Sequence, residues 1–156
     1  MPAEGALDRI EGRDADLAHG ENIPSARFDC IILTQTLHLI FELSAAVATL
    51  RRILTPDGVL LATVPGITQL DRYEWNTSWY WSFTNHSVRR LLEPAFGPAN
   101  TTVESYGNVL TAVGFLHGLS VGELRPDELN ASDPCYQLIV AVRASKAANH
   151  IPIPDR

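Results

Sequence analysis

None of the ten glycines stands two residues from another, so the chain has no G-x-G turn of the kind that lets backbone close on a nucleotide cofactor. Cysteine is nearly as scarce. Cys30 and Cys135 can build no disulfide framework and no Cys-x-x-Cys pair, which fits a reducing cytoplasm, and Cys30, inside an apolar run, reads as a small packed hydrophobe. No set of His, Cys and carboxylate residues has metal-ligand spacing, and no G-x-S-x-G elbow supports a serine hydrolase. No apolar run approaches the ~20 residues that span a bilayer, and residues 1–20 hold no apolar segment behind a basic start, so neither a membrane anchor nor a signal peptide is expected. Basic residues are outnumbered 12 to 18 by acidic ones, giving a net charge of −6, which argues against nucleic acid as a partner. The basic pairs Arg51-Arg52 and Arg89-Arg90 read as solvated helix faces.

What is present is concentrated after residue 27. Residues 1–27 are charged and carry only scattered large apolar side chains, with a weak strand over Leu7 to Glu11 or no order at all. From Phe28 to Pro65 the pattern is strand, helix, strand. Cys30 to Leu33 and Val59 to Val64 are short apolar runs suited to parallel strands covered on both faces. Between them Leu43, Ala46, Val47, Leu50 and Leu54 recur at helical spacing, and Pro56-Asp57-Gly58 turns the chain into the second strand. Ligands of open α/β sheets lie beyond the carboxyl ends of the strands, which draws attention to Thr34, Gln35, Thr36 and His38.

Residues 65–83 have no regular period but hold Tyr73, Trp75, Trp79, Tyr80, Trp81 and Phe83, half of the chain's aromatic residues. A helix follows, capped by Thr84 or Asn85, striped by Val88, Leu91, Leu92 and Phe96, and stopped at Gly97-Pro98. Thr101 to Ser105 reads as a strand, and Asn108 to Leu119 as a helix burying Leu110, Val113 and Leu116. Residues 120–134 form a polar connection, and Tyr136 to Val142 the last strand.

Three stretches give this order a family likeness. Phe28-Asp29 with Ile31-Ile32-Leu33 and Leu37-His38 resembles the fourth strand of class I S-adenosylmethionine-dependent methyltransferases and the loop after it. Leu50 to Leu61, with Pro56-Asp57-Gly58, is similar to that family's L-x-R-x-L-x-P-G-G passage into strand five, with Asp57 at the first glycine position. Trp81-Ser82-Phe83-Thr84, followed by Val88, Arg90, Leu91, Leu92 and Phe96-Gly97, resembles the helix after strand five. The resemblance covers residues 28–143. It implies an α/β, Rossmann-like class I methyltransferase fold, truncated at the N-terminus, with a mostly parallel sheet and helices on both faces.

The resemblance also implies S-adenosylmethionine as cofactor, and a site of which only part can be assigned. Asp14 or Asp16, with Leu17, matches the end of the family's third strand, where an acidic side chain accepts from the adenine amino group; two solvated acids are the plain alternative. Thr34 and Gln35 would meet the cofactor's ammonium and ribose. His38 could serve as general base or orient an acceptor hydroxyl, or could be a structural histidine packed beneath the aromatic loop. Trp75 and Trp79 would face an acceptor ring or sugar, or simply pack over the sheet. Asn108 would border the acceptor or cap a helix.

The acceptor expected is a small-molecule or sugar hydroxyl. Only 27 residues precede strand four, too few for the family's first three strands and two helices. A fragment, a mis-started reading frame, or a member that has shed its cofactor half are the readings, with weak or absent activity expected of this chain. The expected division is a poorly ordered remnant over 1–27, a partial domain over 28–143 and a flexible tail over 144–156. A rival reading follows from the same deficit. In the family order 3-2-1-4-5-7-6, strand four would lose its neighbour, and its bare edge would invite a homodimer or a partner chain.

Overall fold

The computed structural model describes residues 16–70 and 76–147. Its frame is a four-stranded sheet in the order β1-β2-β4-β3, built from β1 (Phe28–Thr34), β2 (Leu54–Pro65), β3 (Thr101–Tyr106) and β4 (Ile139–Ser145). β1 and β2 pair in parallel, and β4 runs antiparallel to both β2 and β3. Three strands therefore point one way and β4 the other, as a mostly parallel sheet requires.

Helix α1 (Leu43–Ile53) buries Ala46, Val47, Thr49, Leu50 and Ile53 on one stripe and ends in Arg51 and Arg52, cations that suit the negative end of the helix dipole. Helix α2 (Asn85–Phe96) buries Val88, Leu92 and Phe96. Thr84 caps it reciprocally with Ser87, and Gly97, at φ 88°, stops it. These two helices meet one face of the sheet, made by Leu60, Ala62 and Val64 of β2, Val140, Val142 and Ala144 of β4, and Val103 of β3. Leu92 is wholly buried there, and its truncation to alanine should cost about 2–5 kcal/mol.

Among the described residues no helix covers the opposite face. Cys30, Ile32 and Thr34 of β1 alternate outward beside Val59, Leu61 and Thr63 of β2 and Ile139, Ala141 and Arg143 of β4. Ile32 is 66% exposed and Leu61 39%. Two expectations are corrected by this. Helices cover one face of the sheet among the described residues, not both, and Cys30 is exposed instead of packed. The apolar runs suit double coverage, but α1 and α2 supply a single layer.

Other expectations shift locally. Strand β2 starts at Leu54, directly after α1, and Pro56-Asp57-Gly58 forms a bulge inside it, where pairing jumps from Phe28↔Leu54 to Cys30↔Val59. Asp57 is left-handed there, at φ 63°, a conformation that aspartate tolerates better than most residues and glycine best. Gly66, just past β2, runs so close to Gln137 that a Cβ would lie 1.8 Å from that carbonyl oxygen.

Helix α3 (Val109–Leu116) buries Thr111, Ala112 and Gly114. It leaves Leu110, Val113 and Leu116 exposed, the reverse of the expected face. A helix this apolar all round carries no period to orient it, and Asn108 and Thr111 instead fix its inner side through a reciprocal cap. A short helix α4 (Pro126–Asn130) follows within the polar connection.

Residues 17–22 form a 3₁₀ segment in which Gly20 is buried, and Ile23 just after it is buried as well. The Arg52 guanidinium holds this segment, donating to the carbonyls of Gly20 and Ile23 and to Ser25 Oγ. Arg52 is thus a clamp, not part of a solvated face, and Arg89 likewise donates to the Val103 carbonyl. At the other end β4 runs on through Ser145, and Lys146 Nζ donates to the Leu54 carbonyl.

Candidate functional site at the carboxyl ends of the parallel strands

Gln35 ends β1 in a left-handed conformation, φ 47°, which costs a residue with a Cβ roughly 1–2 kcal/mol. Two bonds to one neighbour compensate. The Gln35 N–H donates to the Thr63 carbonyl at 2.8 Å, and Gln35 Nε2 donates to Thr63 Oγ1 at 3.3 Å. The side chain stays exposed, and Oε1 has no partner among the described residues. Strained backbone at a strand end on the functional edge of an α/β sheet is a frequent mark of a site. Thr34 is exposed beside it, and Thr36 Oγ1 donates to the Thr34 carbonyl.

His38 lies three residues further on and is 3% exposed. The aromatic segment closes over it: the N–H groups of Tyr80 and Trp81 donate to the His38 carbonyl, and the Trp79 ring sits 4.3 Å from the imidazole, centroid to centroid. His38 Nδ1 and Trp79 Nε1 are both buried without a hydrogen-bond partner among the described residues. Burial lowers the His38 pKa from its ordinary value, because the charged imidazolium would lose solvation. Burial therefore favours the neutral ring over the imidazolium. Trp81 helps to fix the loop, donating from Nε1 to the Ile40 carbonyl at 2.9 Å while its ring stacks on Phe41.

The other candidates stand apart from this core. Asp16 caps the 3₁₀ segment, Oδ1 accepting from Ala18 N–H and Oδ2 pairing with His19 Nδ1 at 2.8 Å. That hydrogen bond lowers the Asp16 pKa and raises that of His19. Both side chains are largely exposed, so the pair adds little stability. Asp16 opens on a surface cleft of about 340 Å³ shared with Leu39, Ile40, Phe41, Glu42 and Tyr80. Thr34, Gln35 and His38 do not line that cleft. Leu17 packs against the core. Asn108 is buried with its amide fully engaged, Oδ1 accepting from Thr111 N–H and Nδ2 donating to the carbonyls of Glu128 and Ala131. It is the helix cap and the joint between α3 and α4, and it presents no amide to an acceptor. Asp14 and Trp75 lie outside the described residues. Among the described residues no three His, Cys, Asp or Glu side chains converge as a metal would need.

Two contributors escaped the sequence reading. Thr63 is beside Gln35 because the parallel register sets Thr34 opposite Thr63, so the end of the second strand was the available signal. Arg52 gave none, since a basic residue in the last turn of a helix usually faces water.

The fold agrees with what comparison finds. Residues 3–62 match the model of the methyltransferase domain family, a match that reaches upstream of the residue 28 from which the likeness was legible. The chain has a class I methyltransferase fold. Among solved structures it is similar to the [4+2]-cyclase SpnF, at 17% identity over 86% of this chain and 54% of that one, TM-score 0.51. It is also similar to phosphoethanolamine N-methyltransferase 2 of Haemonchus contortus in complex with S-adenosyl-L-methionine, at 14% identity over 85% of this chain and 36% of that one, TM-score 0.54. A third is a SAM-dependent methyltransferase from Archaeoglobus fulgidus, at 10% identity over 85% of this chain and 66% of that one, TM-score 0.54.

Likeness at such identities speaks to fold alone, and a cyclase among these structures illustrates how far function varies on one fold. No curated protein matches the sequence. The chain spans about half the length of the first of these structures, 54%. S-adenosylmethionine, the cofactor that the resemblance implies, agrees with the family match and with the neighbours whose names carry it. No helix among the described residues is long and apolar enough to cross a membrane.

Proposed function

We propose that this chain serves S-adenosylmethionine-dependent methyl transfer to a hydroxyl of a small molecule or sugar, in a cytoplasmic setting that suits its two exposed free thiols. The observation that carries the oxygen acceptor is His38, a buried neutral imidazole with Nδ1 unpartnered, just beyond the strand end where the cofactor is expected. A hydroxyl is a poor nucleophile until its proton has somewhere to go, and a neutral ring nitrogen supplies that place.

The residues present fit one side of the cofactor. Gln35 Oε1, free and held forward by the bonds to Thr63, can accept from an ammonium or a ribose hydroxyl, and the exposed Thr34 sits beside it. Asp14 or Asp16, with Leu17, would border the adenine, and Trp75 and Trp79 the acceptor. The opposite side, a glycine-rich turn, has no counterpart in the sequence, so these residues alone should bind weakly. S-adenosylmethionine, when bound, would supply an electrophilic methyl on its sulfonium sulfur, and His38 Nδ1 would take up the proton that the acceptor hydroxyl gives away.

The test uses methyl-labelled cofactor at millimolar concentration with a panel of small alcohols and sugars. Slow O-methylation that falls by at least about a hundredfold in His38→Gln is expected, the usual worth of a general base. Absence of transfer to any hydroxyl, or N-methyl products only, contradicts the reading.

A second reading rests on a separate observation. Among the described residues β1 is an edge strand of the sheet, and its outward Ile32 is 66% exposed. Such an edge can pair with a second copy or a partner strand, making the chain a non-catalytic interaction module. Sedimentation giving a clean monomer at high concentration counts against it.

A further inference from the structure

Two buried nitrogens without protein partners lie on rings in mutual contact, His38 Nδ1 and Trp79 Nε1, with centroids 4.3 Å apart and planes tilted by 48°. Buried polar groups are nearly always satisfied, so two orphans on adjoining rings need a common explanation. The backbone carbonyl of His38 accepts from Tyr80 and Trp81 and so anchors the segment that carries Trp79.

From this we infer that Trp79 and His38 form a two-point clamp for one hydroxyl, with Trp79 Nε1–H donating to its oxygen and that oxygen donating its proton to Nδ1. The inference rests on the methyltransferase reading for the role of the hydroxyl but not for its binding.

The donor and acceptor inventory selects the ligand. Indole nitrogen is a donor only, whereas the imidazole Nδ1 in the Nε2–H tautomer is an acceptor only. A group that satisfies both through one atom must accept and donate at once. A hydroxyl does so. A carboxylate accepts but has no proton to give, and an ammonium gives protons but has no lone pair for Trp79. Turning the two nitrogens toward an entering hydroxyl gives up no hydrogen bond of their own, because neither has one among the described residues. Trp79 thereby becomes a specificity residue, selecting hydroxyl-bearing acceptors over their amine analogues; stacking on an acceptor face would give no such selection.

The test is a titration of the ¹⁵N-labelled full chain, without cofactor, with ethanol and in parallel with ethylammonium. Trp79→Phe, which keeps a ring and removes the donor, assigns the Trp79 indole N–H resonance by its disappearance. A saturable shift of that resonance with ethanol, at least about fivefold weaker in affinity in His38→Phe and absent with ethylammonium, is expected. An unmoved resonance, or equal response to both probes, overturns the clamp.

Should Trp79→Phe fail to fold, the ¹⁵N shifts of the His38 ring in the unmodified chain decide instead. Nδ1 must report an unprotonated nitrogen that moves on adding ethanol, and an Nδ1–H tautomer overturns the inference. The two claims separate cleanly: O-methylation without the Trp79 response refutes the clamp alone, and the response without O-methylation refutes the methyltransferase reading alone.

Discussion

Gln35 is tied to Thr63 twice, by backbone and by side chain, across the ends of the two parallel strands. The strained φ of Gln35 is thus held by its neighbour, and a residue that cannot accept a left-handed backbone should be punished there. Gln35→Val is expected to destabilise by about 1–2 kcal/mol or more, since a β-branched side chain at positive φ is a true outlier. Gln35→Gly should be close to neutral, relief of strain offsetting added chain entropy. Denaturant midpoints at unchanged slope would measure both, and equal losses for the two variants would contradict the strain assigned to Gln35.

Removal of the Arg52 guanidinium should free one segment without loosening the sheet. Three acceptors lose the guanidinium in Arg52→Ala: the carbonyls of Gly20, which keeps the Ile23 N–H, and of Ile23, and Ser25 Oγ. Hydrogen exchange of residues 17–27 should accelerate, while β2 and β4 amides keep their protection. Arg52→Lys should not restore it, because a single ammonium cannot serve acceptors spread across a planar fork. Uniform acceleration over the whole domain would show that Arg52 supports the core instead.

The histidines should titrate on opposite sides of the ordinary value. His19, bonded to Asp16, is raised above 6.5, and His38, desolvated, is lowered below it. Stability from the His19 contact is full below pH 6.5 and is lost as pH rises through its folded value, while the Asp16 contribution is present above 3.8 and lost as pH falls through its lowered value. For His38 the stability of the neutral ring is present above pH 6.5 and lost as pH falls through its depressed value. Asp16→Asn should return the His19 midpoint toward 6.5 and leave His38 unmoved in an NMR titration. A His38 midpoint above 6.5 would remove the neutral ring on which the proposed chemistry depends.

The exposed edge makes its own prediction. Ile32→Lys, at a side chain 66% exposed, should change stability by no more than about 0.5 kcal/mol. It should nevertheless abolish any concentration-dependent association, since an edge lysine blocks strand pairing. Association that persists in the variant would move the contact elsewhere.

How far these features were legible depends on the kind of signal. Thr84 and Asn108 were readable as caps because capping is local chemistry, and Gly97-Pro98 as a stop for the same reason. The strand and helix order from Phe28 to Phe96 followed from apolar period and turn residues. What failed needed knowledge of the layers above each face. Cys30 and Ile32 sit in a run suited to double coverage, yet among the described residues the covering helices α1 and α2 lie on the other side. Leu110, Val113 and Leu116 were assigned inward from an apolar spacing that a helix apolar all round cannot orient. Gln35, His38 and Trp79 were nameable as candidates, but that two of them carry unpaired nitrogens on touching rings is a tertiary fact. Thr63 needed the strand register.

The most direct test of the site maps amide chemical shifts of the labelled chain during titration with S-adenosylmethionine. The account predicts weak binding, above the micromolar range, with shifts gathered at Thr34, Gln35, His38 and Thr63 and none at Asn108. Stoichiometric micromolar binding would contradict the one-sided fit. Absence of shifts at Gln35 and Thr63 with millimolar cofactor would contradict the site itself.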